Sequence, residues 1–187
     1  MTVKQKITPS NVDRVVRCPG SVGWMDERTS DTIYHSRTIY GSDEAAQGKL
    51  AHQLAAARLR GDNQWENECM THTLYRPKIE NGVSEYIRFV RDLAGDDAIR
   101  AEDEVKTEFI HDVCIGYVDC WIDSYPSLKV IDLKWSNQWH HAFESYQLMS
   151  YAAGLARNTL THPVQFVELY IFNAIFDDDD KVSKWFI

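Results

Sequence analysis

The hydrophobic period of this chain changes three times along its length, and the order of those changes restricts the folds open to it. Up to about residue 95 the apolar positions recur at helical spacing. Ser42-Asp43-Glu44 opens a helix that runs through AAQGKLAHQLAAARL to Gly61, with a capping oxygen and two acids at its start and glycine at its stop. A helix at roughly Gly82 to Leu93 aligns Val83, Tyr86, Ile87, Val90 and Leu93 on one side. From Ile99 to Ile110 the period drops to two. Val113–Asp123 (VCIGYVDCWID) and Lys129–Trp135 (KVIDLKW) then read as a hairpin closed at Tyr125-Pro126-Ser127. Ala142–Ala156 returns to helical spacing, Val164–Phe176 reads as a strand, and Lys181–Ile187 as a last short one. Helices, three strands, a helix and one or two strands imply an α/β or α+β sandwich with a mixed sheet. With no repeat and no Pro/Gly-rich linker, residues 1–187 read as one domain, a helical part at about 8–95 and a sheet-and-helix core at about 99–187. Ile7–Cys18 reads as a short helix capped by Ser10, and 21–41 and 62–78 as irregular.

A content of 44% apolar and 26% charged residues over 187 positions supports a sizeable core and excludes wholesale disorder. No apolar run approaches the roughly 18–20 residues of a membrane span, and the opening MTVKQKITPSN lacks the apolar stretch of a secretory signal. Cys18, Cys69, Cys114 and Cys120 form no C-x-x-C pair and fit neither a zinc ribbon nor a disulfide framework. The expected compartment is therefore reducing and cytoplasmic. Acidic residues outnumber basic ones 28 to 20, which weighs against a phosphate-bearing partner.

The chemistry concentrates in the hairpin and the helix after it. Asp132 and Lys134 are two apart in a strand and share a face, while Ile131, Leu133 and Trp135 take the other. Alone, this pair reads as a structural ion pair. Asp119 on the preceding strand changes that, because two converging carboxylates repel unless one is protonated or a cation lies between them. Oxygen donors of this kind suit Mg²⁺ or Mn²⁺. Gln147 and Tyr151, four apart, share a face of the following helix. His52 lies on a small-residue helix face with Ala45, Gly48, Ala55, Ala56 and Leu59, as a core histidine or a metal ligand.

Taken in order, A-x-G-x-x-A-H (Ala46 to His52), G-x-x-D (Gly116 to Asp119), D-L-K (Asp132 to Lys134) and Q-x-x-x-Y (Gln147 to Tyr151) resemble the RecB-like branch of the PD-(D/E)XK nuclease superfamily. Phage-type RecB-like and Cas4-like exonucleases are the relatives in question. T-P-S-x-x-x-R…C-P-G-S (Thr8 to Ser21) resembles the opening of a phage-associated group there, so the likeness spans about Thr8 to Leu155. The resemblance implies a restriction-endonuclease-like core with a mixed sheet flanked by helices, and a metal-dependent DNA exonuclease acting in phage recombination or DNA repair. It implies that Asp119, Asp132 and the carbonyl of Leu133 hold Mg²⁺ or Mn²⁺ with His52 as a further ligand. Lys134 would position and help activate the attacking water, and Gln147 and Tyr151 would orient that water or the DNA phosphate. Its implied partners are DNA, a second copy of the chain and a single-strand annealing or recombination protein, in a host cytoplasm if the chain is phage-encoded. Cas4-like members carry a cysteine quartet with several cysteines near the C-terminus, whereas this chain has none after Cys120, so no iron–sulfur cluster is expected.

Rival readings are an endonuclease with the same site, a non-catalytic DNA-binding or assembly protein that kept the fold, and a chance match in which Asp132–Lys134 is only an ion pair. Glu102 and Glu104 share a strand face without an assigned role. His140-His141 reads as a polar loop or DNA contact, and Asp177–Asp180 as a solvated acidic turn. Arg14, Arg17, Lys49, Arg58 and Arg60 read as DNA-backbone contacts or helix surface; Trp135, Trp139 and Tyr146 as base-stacking or core aromatics.

Overall fold

The structure is a computed structural model that describes residues 43–107, 115–176 and 180–187, together with Val12, Val16 and Arg17. Most of the expected first helix, residues 21–41, the cap at Ser42, and Cys114 and Asp177–Asp179 lie outside the described residues.

From residue 43 onward the described chain runs through the helices α1 (Asp43–Arg60), α2 (Asn63–Thr71) and α3 (Pro77–Ala94). Three strands follow, β1 (Ile99–Lys106), β2 (Ile115–Ser124) and β3 (Ser127–Lys134), then α4 (Tyr146–Asn158), β4 (Phe166–Asn173) and β5 (Val182–Phe186). The strands form one five-stranded sheet in chain order. The pair β3–β4 is parallel and the other neighbours are antiparallel. A parallel pair needs a crossover, and α4 supplies it. The expected α+β architecture, a mixed sheet flanked by helices, is the one observed.

Alternation along β3 divides the core. Leu128 and Val130 join Leu148, Tyr151 and Leu155 of α4, whereas Ile131 and Leu133 join Leu54 of α1 and Val83 and Tyr86 of α3. Buried Trp135 belongs to this second layer, not to a base-stacking surface. Its ring lies against Gly48 of α1 and Gly82 of α3, where a Cβ would come within 3.6 and 2.9 Å of ring atoms. The glycines let two helices close over one indole.

Two helix boundaries differ from expectation and one helix was missed. Residues 62–78 hold α2 rather than irregular chain, because Asp62 caps it by accepting from the Trp65 N–H at 3.1 Å. Only Cys69 of α2 is buried, so no apolar stripe marked it. The third helix starts at Pro77 instead of Gly82; proline suits a first turn, where no N–H partner is needed. The fourth starts at Tyr146 instead of Ala142, since Glu144 sits at φ +53° and Ser145 provides the cap.

Arg58, read from sequence as a DNA contact or helix surface, instead ties α1, α2 and α3 together. Its guanidinium meets Glu66 of α2 at 2.8 Å and Glu80 of α3 at 2.7 Å. Hydrogen bonding to Arg58 holds the Glu80 carboxyl down at about 2, below its ordinary 4.5. A depressed folded pKa stabilises above the unfolded value and that contribution fades as pH falls toward the folded one. The melting temperature is therefore expected to drop between pH 4.5 and about 2, with Arg58→Ala lowering it at pH 7 and flattening that drop. Thermal melts at pH 7 and pH 3 check both.

Candidate functional site: a carboxylate–lysine fork in the sheet

The site begins where two strands part. Registered pairs between β2 and β3 run from Ser124–Ser127 to Cys120–Ile131 and stop. At the next position Asp119 Oδ2 accepts from the backbone N–H of Leu133 at 2.8 Å. A carboxylate has replaced a ladder carbonyl, and the strands diverge around it. The other oxygen, Oδ1, lies 3.1 Å from His52 Nδ1 on α1. Small buried residues on that helix, Ala51 and Ala55 among them, bring it close enough to the sheet for this contact.

Asp132 lies one residue before Leu133 and, by the alternation of β3, on the α4 side. It is buried at 5% exposure. Lys134 Nζ stands 2.8 Å from its Oδ2, an ion pair that compensates the buried oxygen. Gln147 on the first turn of α4 bridges the two, donating to Asp132 Oδ1 at 3.3 Å and accepting from Lys134 at 3.4 Å. Tyr151, one turn on, is buried in the core beneath α4. The structure thus gathers His52, Asp119, Asp132, Lys134 and Gln147 from four separate elements, with the Leu133 backbone between the carboxylates.

The electrostatics of the two carboxylates diverge. Burial raises both, but His52, the Leu133 N–H and Lys134 together bring Asp119 below its ordinary value. Asp132 ends above its ordinary value, because burial and the charge of Asp119 outweigh Lys134. On His52 burial opposes the proton, yet Asp119 and Asp132 raise its affinity above that of free imidazole. A carboxylate kept ionised beside one whose ionisation is costly is an arrangement typical of reactive centres.

Glu102 belongs here too. It stands on β1 between the registered pairs Ala101–Cys120 and Asp103–Val118, hence opposite Asp119. Its φ is +52°, an uncommon conformation for a non-glycine residue. Together with His52, Asp119, Leu133 and buried Tyr86 it lines a small cleft, and its carboxylate lies 3.5 Å from Arg60. Two acids on one strand face gave no means of choosing Glu102 over Glu104, which turns instead to the Tyr117 hydroxyl. Tyr86 read only as one of the apolar positions of α3.

The donors available to a metal are two carboxylates, an imidazole and a backbone carbonyl. That chemistry, oxygen donors with one imidazole, fits a hard divalent cation, and Asp132 Oδ2, the donor nearest the fork, now faces the Lys134 ammonium at 2.8 Å. Among the described residues no three His, Cys, Asp or Glu side chains already stand at metal-holding spacing.

Fold and fork together define an α+β protein with a buried carboxylate–lysine site on a mixed sheet. The chain belongs to the family described as protein of unknown function DUF2800, whose model matches residues 5–187. No curated protein matches it. Among the described residues no helix is long and apolar enough to cross a membrane.

Proposed function

We propose that this chain is a metal-dependent DNA nuclease of the PD-(D/E)XK type, acting as an exonuclease on DNA ends. The observation that carries the reading is the fork itself: Asp119 and Asp132 on diverging strands, with Lys134 held against Asp132. That arrangement costs folding energy, since buried Asp132 and half-buried Asp119 repel, and it supplies what phosphodiester hydrolysis requires.

Asp119, Asp132, the carbonyl of Leu133 and His52 would hold Mg²⁺ or Mn²⁺. Such an ion, when bound, acidifies water and offsets charge on the phosphate. The protein's own groups do the rest. Lys134 places an ammonium where negative charge grows as water attacks phosphorus and the bond to the 3′-oxygen breaks. Gln147 fixes Lys134 and Asp132 relative to each other. His52 orients Asp119 so that its second oxygen stays on the Leu133 N–H.

The test is a cleavage assay with end-labelled linear duplex, single-stranded DNA and closed circular DNA, in Mg²⁺, Mn²⁺ or EDTA. Metal-dependent loss of linear DNA that spares the circle is expected, with Lys134→Ala reduced at least about a hundredfold. Cleavage of the circle would identify an endonuclease. The net charge of −8, which weighs against a phosphate-bearing partner, favours a second reading, a non-catalytic assembly protein that kept the fold. DNA neither cut nor bound in either metal would support that one.

A further inference from the structure

Resting on the nuclease reading, the site must hold a group that takes the proton of the attacking water. Lys134 is poorly suited, because an ammonium paired with Asp132 has no lone pair to offer. The loop after β3 holds a better candidate. Asn173 ends β4 directly opposite Lys134 in the parallel register and is fully buried. Its side chain clamps the backbone of His140 from both sides, accepting from the N–H at 2.9 Å and donating to the carbonyl at 3.2 Å. The neighbours on either side, Trp139 and His141, are held to each other, Nε1 to Nδ1 at 3.1 Å. Trp139 also packs edge-on against Phe176. With both flanking rings committed to one another, the imidazole of His140 is left half-buried on a loop that Asn173 holds beside Lys134.

We propose that His140 is a further catalytic residue, the general base that accepts the proton of the attacking water, with Asn173 as its positioning residue. In the step, the water oxygen bonds to phosphorus and its proton passes to the imidazole. The phosphorus–O3′ bond breaks, and the 3′-oxygen takes a proton from solvent. Burial first, then the charges of Lys134 and His141, push His140 below its ordinary 6.5, so it is neutral and able to accept a proton at pH 7. A base that is neutral at the working pH can take up the proton of the water.

The experiment compares single-turnover cleavage of linear DNA in Mn²⁺ by the wild type, His140→Ala, His140→Gln and Asn173→Ala, across pH 5 to 8. Melting temperature and DNA affinity in EDTA are measured alongside. His140→Ala and His140→Gln are expected to lose about 10²–10⁴-fold in rate with affinity retained. Free imidazole should restore part of the His140→Ala activity. The wild-type rate should fall as pH drops through a value below 6.5, and that limb should vanish in both His140 variants. Asn173→Ala should slow the reaction while keeping the limb. Activity within about threefold of wild type in either His140 variant, or a loss that neither imidazole nor pH touches, overturns the assignment and leaves the nuclease reading standing. A wild-type protein that cuts nothing overturns the nuclease reading and this inference with it.

Discussion

Asp132→Asn is expected to abolish cleavage, by about a thousandfold or more, and yet to leave the metal-free protein as stable as the wild type or more so. The loss follows from removing a charge from a buried site built around charge, where several kcal/mol of transition-state stabilisation are at stake. The stability gain follows from what surrounds the carboxyl. Burial and Asp119 make its ionisation costly. An amide of the same shape keeps the contact to Gln147, and the released Lys134, whose side chain is 28% exposed, can turn to water. Lys134→Ala should do the opposite, leaving a buried carboxylate unpaired at a cost of about 3 kcal/mol at neutral pH. The signs with pH differ accordingly. A raised folded pKa means that Asp132 favours the folded state while protonated and disfavours it as pH rises through that value. The gap between wild type and Asp132→Asn should therefore widen in favour of the variant from pH 4 to pH 7. Urea melts in EDTA measure this directly. A loss of several kcal/mol in Asp132→Asn would mean that Asp132 is held in the fork for structure and not for chemistry.

The same residues show how much of the site was legible beforehand. Period two puts Asp132 and Lys134 on one face, and period 3.6 puts Gln147 near them once the helix after β3 packs back. Both are local rules. Asp119 is different: that it approaches Asp132 was inferable from the hairpin, but its hydrogen bond to the Leu133 N–H depends on where the ladder breaks, and no local pattern states that. Glu102 depends on the same break, since only the register sets it opposite Asp119. Asn173 lay inside the expected Val164–Phe176 strand with no role assigned. Its role arises from parallel pairing with Lys134 and from a loop that returns over it, both long-range. The helix α2 was hidden for an opposite reason: being almost wholly exposed, it leaves no apolar stripe, and only the Asp62 cap announces it.

Gly154→Ala is expected to destabilise the fold by about 1–3 kcal/mol, although alanine is the better helix former by about 1 kcal/mol. Gly154 lies where α4 crosses the end of β1. A Cβ there would meet Val105 Cγ1 at 2.5 Å, the carbonyl oxygen of Lys106 at 2.8 Å and Thr107 Cγ2 at 3.0 Å. A methyl can rotate aside, but a strand carbonyl cannot, so the helix itself must lift. Gln147 rides on that helix two turns earlier, bonded to Asp132 at 3.3 Å and Lys134 at 3.4 Å, both near the limit of a hydrogen bond. A shift of a few tenths of an ångström breaks them. Activity is therefore expected to fall by more than the unfolded fraction at the assay temperature accounts for, whereas Ala153→Gly on the exposed side of α4 should cost about 1 kcal/mol and spare activity. Melting curves and cleavage rates on the two variants separate these outcomes. If Gly154→Ala raises the melting temperature, helix propensity has won and the close approach of α4 to β1 is looser than these distances require.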